Sequence, residues 1–267
     1  MKKYKGVVFF DYDFTTIDAT EQILSATPKT IESLNRLEEN GYLTMLCSGR
    51  SKRFLEEDID KFQGVITCNG AYAQVGEDVI RDEHISESLL RDIVNEYLPQ
   101  RVSIHLETQD VTYCACNYPE IYETFLNRLD LPKEWFALWK EEYFQKHITK
   151  VVMYHEEERV FSDFQKKYSD QFQSVIPFEG EPFFDITLKG VTKGEAIRQV
   201  LDLYGIDRKD SYAFGDSDND VEMLKAVGTG IVMAKHSVKA GEAATMFTGT
   251  VKEEGITQAL EKLGLIS

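Results

Sequence analysis

Short apolar runs alternate with amphipathic stretches along the first part of the chain, a rhythm that predicts a parallel sheet covered by helices on both faces. Lys5 to Phe10 predicts the first strand. After Pro28, Ile31, Leu34 and Leu37 recur at helical spacing, and Asn40-Gly41 supplies a common helix stop. Tyr42 to Cys47 predicts a second strand, Ser51 to about Lys61 a charged helix, and Gly64 to Cys68 a third strand closed by an Asn69-Gly70 turn. The rhythm resumes late in the chain. Asp185 to Leu188, Tyr212 to Phe214 and Gly230 to Met233 read as further strands of the same sheet, with helices at about Lys193 to Tyr204 and Asn219 to Val227.

Between roughly His84 and Phe184 the texture changes. Aromatic residues are dense (Trp135, Phe136, Trp139, Tyr143, Phe144), strands such as Lys150 to Tyr154 alternate with helical stretches, and no acidic motif appears. Aromatics so grouped are read as core rather than as a stacking platform. The expected organisation is α/β: a doubly wound, Rossmann-like parallel-sheet core over 1–83 and 185–267, interrupted by an inserted α+β domain over 84–184. No internal repeat or low-complexity segment argues for a solenoid or a disordered tail.

The chain has 267 residues, of which 42% are hydrophobic, enough to bury a sizeable core. Its net charge of −16 repels nucleic-acid backbones and anionic membranes alike, while leaving room for a local cationic pocket. The apolar run Val7 to Phe10 ends at Asp11, too early for a signal peptide, and no stretch approaches membrane-spanning length. Cys47, Cys68, Cys114 and Cys116 have neither paired zinc spacing nor the density of a disulfide scaffold, so a reducing cytoplasm is the expected compartment. Alternation along Val111 to Cys116 places Cys114 and Cys116 on one face of a strand.

Candidate chemistry gathers at predicted strand ends, where α/β sheets bind ligands. The first strand runs directly into Asp11-Tyr12-Asp13-Phe14-Thr15. Two carboxylates so close repel unless a cation or proton intervenes, which suits magnesium, and a carboxylate beside magnesium can attack phosphorus. An Asx-type turn capping the strand is the plainer account of the same residues. A second cluster, Gly215-Asp216-Ser217-Asp218-Asn219-Asp220, follows another strand. Counted from Asp216, the sixth and twelfth positions are Val221 and Val227, not the glycine and glutamate of a helical calcium loop. Ser48-Gly49-Arg50 ends the second strand just before a predicted helix, where a hydroxyl and free N–H groups seat phosphate; Ser48 as a simple helix cap is the alternative. Lys193 opens a helix, a position the helix dipole disfavours for a cation, and either faces a bound anion or is merely solvated.

Together these motifs resemble the haloacid dehalogenase-like hydrolases, specifically the Cof-type phosphatases with a type IIB α/β cap, over essentially the whole chain. Asp11, Asp13 and Thr15 match the family's Asp-x-Asp-Gly-Thr. Ser48 matches its strand-end hydroxyl and Lys193 its lysine before a helix. Gly215, Asp216, Asn219 and Asp220 match Gly-Asp-x-x-Asn-Asp, and Asn69-Gly70-Ala71 looks like the turn leading toward the cap. The resemblance implies a Mg2+-dependent phosphatase of small, sugar-phosphate-like metabolites, with Asp11 as nucleophile and Asp13 as acid and base. It implies phosphate contacts from Ser48, Gly49, Arg50, Lys193 and Asn219, magnesium held by Asp11, Asp13 and Asp216, support from Asp220 and Thr15, and substrate selection by the inserted cap. Among cap residues, Arg101, His105 and Lys150 are able to meet a leaving group.

Two departures stand out. Phe14 replaces the motif glycine, and Met233-Ala234-Lys235-His236 replaces the family's Met-Gly-Asn-Ala. A phosphomutase or phosphotransferase would share the aspartyl-phosphate step, and a phosphometabolite-binding regulator would keep the phosphate seat without turnover. A P-loop and a dinucleotide fingerprint are both absent, and a receiver domain is far shorter. Oligomeric state leaves no mark in the sequence.

Overall fold

The structure, a computed structural model, describes residues 3–177 and 180–267; Met1, Lys2, Phe178 and Glu179 lie outside the described residues. In chain order the strands are β1 (Gly6–Asp11), β2 (Tyr42–Cys47), β3 (Gly64–Thr67), β4 (Tyr72–Val75), β5 (Asp78–Asp82), β6 (Val102–Glu107), β7 (Thr112–Ala115), β8 (Phe136–Leu138), β9 (Lys150–His155), β10 (Phe172–Val175), β11 (Phe183–Leu188), β12 (Ser211–Gly215), β13 (Thr229–Val232) and β14 (Met246–Phe247). The helices are α1 (Pro28–Glu39), α2 (Glu87–Tyr97), α3 (Pro119–Arg128), α4 (Arg159–Tyr168), α5 (Lys193–Tyr204), α6 (Val221–Ala226), α7 (Val238–Ala243) and α8 (Gly255–Lys262). Two compact units result. The first comprises 1–50, 54–82 and 192–267, the second 51–53 and 83–191.

The first unit is an eight-stranded sheet in the order β14-β13-β12-β1-β2-β3-β4-β5. It is parallel from β14 to β3, and β4 and β5 add antiparallel at one edge. β1 lies near its middle and is buried on both faces. Val7 and Phe9 enter one hydrophobic core, with Ile197 and Val200 of α5, while Val8 and Phe10 enter another, with Leu34 of α1 and Leu260 of α8. That is why β1 reads as continuous apolar sequence rather than alternation. Thr27 caps α1 by accepting from Thr30 N at 3.0 Å, and Pro28 occupies its first turn.

The second unit is a six-stranded sheet, β10-β11-β9-β6-β7-β8, antiparallel except for β7 with β8. One face carries a core with Leu90 and Ile93 of α2 and Phe164 of α4; the other packs Ile121 and Phe125 of α3. Of the aromatic segment, Phe144 is buried in the first of these cores with Trp139 and Tyr143 packed against it, Phe136 packs against the second, and Trp135 lies 5.2 Å from the Arg53 guanidinium instead.

Three sequence expectations are corrected. The strand placed in the core sheet at Asp185 to Leu188 is β11, which pairs with β9 and β10 in the second unit. Its apolar residues Phe184 and Ile186 complete that unit's core, so the chain returns to the first unit as α5, not as a strand. The charged helix from Ser51 to about Lys61 is replaced by short 3-10 turns at Lys52–Leu55 and Ile59–Lys61. There the fully buried Asp58 accepts from Tyr12 Oη at 2.8 Å, Ala26 N at 3.0 Å and Lys61 Nζ at 2.5 Å, and the backbone wraps around this carboxylate. Cys114 lies within β7, but Cys116 lies past its end, where its Sγ is 3.0 Å from the Tyr118 carbonyl oxygen.

His105 of β6 is enclosed rather than poised for a ligand. Its ring stacks 4.0 Å from that of Phe125, and neither ring nitrogen has a hydrogen-bond partner among the described residues. Burial pushes its pKa down to about 3, so the fold requires the neutral ring. The unfolded chain takes up this proton near its ordinary value of about 6.5. Stability is therefore complete above that pH and falls as pH drops toward 3, by about 1.4 kcal/mol per unit from this residue. His105→Phe is expected to flatten this acid-side slope in urea unfolding followed between pH 7 and 4. An unchanged slope would place the protonation elsewhere.

Candidate active site

Sheet order and register bring the acidic motifs together. Asp11 ends β1 opposite Cys47 of β2, and Phe10 lies opposite Phe214 of β12. The residues that follow those strand ends, Ser48 on one side and Asp216 on the other, therefore flank Asp11 at the carboxyl edge of the sheet. The chain order reverses between β1 and β12, where an α/β sheet leaves a crevice.

At the centre is Lys193, first residue of α5 and almost completely buried. Its Nζ donates to Asp11 Oδ1 at 2.5 Å and to Asp220 Oδ1 at 2.7 Å. Burial alone would lower its pKa, but the two carboxylates outweigh burial and hold the ammonium charged. Thr192 caps α5 by accepting from Glu195 N at 3.1 Å, which fixes the turn presenting Lys193. The second oxygen of Asp220 accepts from the backbone N–H groups of Asp216 and Ser217 at 3.0 and 3.1 Å. Thr15 Oγ1 donates to Asp216 Oδ1 at 3.2 Å, tying the loop after β1 to the β12 end.

Asp11, Asp216 and Asp220 are all buried and each offers an oxygen within 4.8 Å of the others. Burial, followed by the charge of Asp220 and against the pull of Lys193, pushes Asp11 up to about 8. Burial and the charges of Asp11 and Asp220 push Asp216 up to about 10. Three carboxylates facing one ammonium leave excess negative charge in a dry site. An all-oxygen donor set of this kind fits a hard divalent cation such as magnesium. Among the described residues it is the one such cluster.

The segment expected to seat phosphate has a different local structure. Ser48 is buried and its Oγ accepts from Arg50 N at 3.1 Å, but no α-helix follows it, so the seat lacks a helix N-terminus. Arg50 forms a two-pronged ion pair with Asp13, Nε to Oδ2 at 3.0 Å and Nη2 to Oδ1 at 2.6 Å. Its guanidinium also lies 5.3 Å from the centre of the Tyr12 ring. Asn219 donates to Asn69 Oδ1 at 3.3 Å. Asn69, which the sequence offers only as part of the Asn69-Gly70-Ala71 turn, belongs to this rim. It adopts positive φ, and a Cβ added to Gly49 would lie 3.0 Å from its Oδ1, so it lines the same rim. The Asn-Gly pair was the available signal.

Two backbone positions explain their residues. Phe14 has φ of +58°, a left-handed conformation that glycine adopts freely and that costs a side-chain-bearing residue about 1–2 kcal/mol. Gly70 has φ of +100°, and an added Cβ would sit 2.2 Å from the Thr192 carbonyl oxygen, beside the cap that aims Lys193. Gly70→Ala is expected to lower stability by about 2–3 kcal/mol through strain at both points, measured by urea unfolding. A change below about 0.5 kcal/mol would mean this approach relaxes freely.

A family model described as haloacid dehalogenase-like hydrolase matches residues 8–260. The chain belongs to this family. A relative from Bacillus subtilis (strain 168), named "Putative phosphatase YkrA", is 28% identical over 97% of this chain and 98% of its own. The crystal structure of a hypothetical protein from Geobacillus kaustophilus HTA426 superposes with a TM-score of 0.87 at 26% identity, covering 98% of this chain and all 100% of the other. The structure of BT4131, described as a sugar phosphatase of subclass IIB of the superfamily, gives a TM-score of 0.82 at 24% identity over 98% and 100% of the two chains. The α/β core interrupted by a second α/β unit is thus the fold of this hydrolase family. No helix among the described residues is long and apolar enough to cross a membrane.

Proposed function

We propose that this hydrolase is a magnesium-dependent phosphatase that releases phosphate from small, sugar-phosphate-like metabolites through a phosphoryl group carried on Asp11. The observation that carries the reading is the buried constellation of Asp11, Lys193, Asp216 and Asp220, a carboxylate fixed by an ammonium inside an all-oxygen cluster. The names of the relatives, phosphatases and among them a sugar phosphatase, agree with it.

In this reading an Asp11 oxygen attacks phosphorus as the bond from phosphorus to the leaving oxygen breaks, and Asp13 gives that oxygen its proton. Asp13 then takes a proton from water, the water oxygen attacks phosphorus, and the bond to Asp11 breaks to release inorganic phosphate. Lys193 and Ser48 steady the equatorial oxygens of the transferring group, where positioning and charge neutralisation do most of the catalysis. Asp11, Asp216 and the backbone of Asp13 would hold magnesium, which when bound neutralises charge on the phosphoryl oxygens. Asp220, bonded through one oxygen to Lys193 and through the other to the Asp216 and Ser217 backbone, would orient Lys193 and the Asp216 turn. Arg50 holds Asp13 until substrate arrives, and proton donation from Asp13 requires this pair to open. Gly49, beside Asn69, and Asn219 complete the rim, and the inserted unit selects the leaving group.

The test is phosphate release from p-nitrophenyl phosphate and a panel of sugar phosphates, with magnesium and with EDTA. Turnover that needs magnesium and favours sugar phosphates is the expected result. Folded protein that releases no phosphate across the panel would transfer the assignment to a phosphotransferase or a binding protein.

A further inference from the structure

The loop leaving β1 folds back on itself. Asp13 bridges to Ile17, and the backbones of Asp18 and Ile23 exchange N–H···O bonds of 2.9 and 3.0 Å. Asp18 anchors this loop from within, with only 2% of its surface exposed. Its Oδ1 accepts from Thr20 N at 3.0 Å and Thr20 Oγ1 at 2.5 Å, and its Oδ2 accepts from Lys235 Nζ at 3.1 Å. Lys235 also reaches Glu21 at 3.4 Å, whose other oxygen accepts from Lys252 at 2.9 Å.

Lys235 stands in the loop after β13, in the stretch where the chain departs from Met-Gly-Asn-Ala. Two residues on, Ser237 N donates to the Asp216 carbonyl at 2.8 Å, and just before it Met233 N donates to the Gly215 carbonyl at 3.0 Å. One ammonium therefore joins the loop that carries Asp13 to the loop fastened on Asp216. Thr15 makes the inner tie between the same two parts, and Lys235 the outer one. An exposed ion pair is ordinarily weak, and Lys235 is half exposed. Its partner is not exposed, however, so losing Lys235 leaves a buried carboxylate oxygen uncompensated, and the loop must open to hydrate it. Burial disfavours the charge on Asp18, but its bonds from Thr20 and Lys235 prevail and hold the carboxyl below its usual range.

We propose that Lys235 is a positioning residue, which sets the distance between Asp13 and the Asp216 cluster by clamping Asp18. This rests on the assignment of Asp13 as the acid and base of a phosphatase. A correctly held proton donor acts in the transition state more than in ground-state binding, so the effect belongs in kcat rather than KM.

The experiment compares wild type, Lys235→Met, Lys235→Arg and Lys252→Met by hydrogen exchange of residues 12–23 and by kinetics with p-nitrophenyl phosphate and magnesium. Lys235→Met is expected to speed exchange in this loop about tenfold and to lower kcat about tenfold, with KM within about twofold. Lys235→Arg restores most of both, and Lys252→Met, which frees only Glu21, changes each by less. Unchanged exchange in Lys235→Met overturns the clamp whatever the activity, and faster exchange with unchanged kcat overturns the positioning role. A folded wild type without turnover overturns the phosphatase reading and with it the positioning role, while the exchange result still decides whether the clamp exists.

Discussion

Asp11→Asn is expected to reduce phosphate release by at least about a thousandfold while the protein remains folded. The amide keeps the shape of the side chain but is a far poorer nucleophile, and Asp220 still accepts from Lys193 at 2.7 Å, so the buried ammonium keeps a partner. Circular dichroism and an unchanged urea midpoint would certify the fold, and steady-state kinetics would give the loss. Activity within about tenfold of wild type would place the attacking group elsewhere.

Lys193→Met is expected to be the most damaging single change to stability and activity together. A buried charge that loses its counter-charge costs about 3–5 kcal/mol, and here two carboxylates, Asp11 and Asp220, lose the same ammonium beside a third, Asp216. The site would then have to hydrate or protonate those carboxylates, which pulls apart the start of α5 and the β12 turn. In the proposed mechanism Lys193 faces the transferring phosphoryl group, and its loss is expected to lower turnover by a further factor of about a hundred to a thousand. Urea unfolding and kinetics at a temperature well below the melting point separate the two effects. A variant as stable and as active as wild type would show that Lys193 is neither a structural nor a catalytic cation.

The parts of this molecule legible in the sequence are those fixed by local pattern. β1 shows as an apolar run ending in Asp11, α1 as a helical repeat between Pro28 and Asn40-Gly41, and the β12 end as Gly215-Asp216. The motifs converge because neighbouring parallel strands end at one edge of the sheet, which strand order alone dictates. What escaped the sequence depends on partners distant in the chain. Phe183–Leu188 has the pattern of any buried strand, and only its pairing with β9 and β10 assigns it to the second unit. The segment after Arg50 has helix-compatible composition, but the buried Asp58, bonded to Tyr12 and Ala26, bends it into short turns. Arg50 stands in the sequence as a cation at a strand end, and only the fold brings it onto Asp13, 37 positions away in the chain. Phe14 is visible in the sequence as a departure from the motif, but its φ of +58° is not.

In the proposed mechanism the phosphoryl group passes through Asp11, where it can be trapped during turnover. The enzyme is mixed with p-nitrophenyl phosphate and magnesium, quenched in acid during turnover, digested and mapped by mass spectrometry. A base-labile phosphoryl adduct on the peptide that contains Asp11, absent from Asp11→Asn, is the predicted result. Turnover with no adduct on that peptide, or with the adduct on another residue, would contradict it.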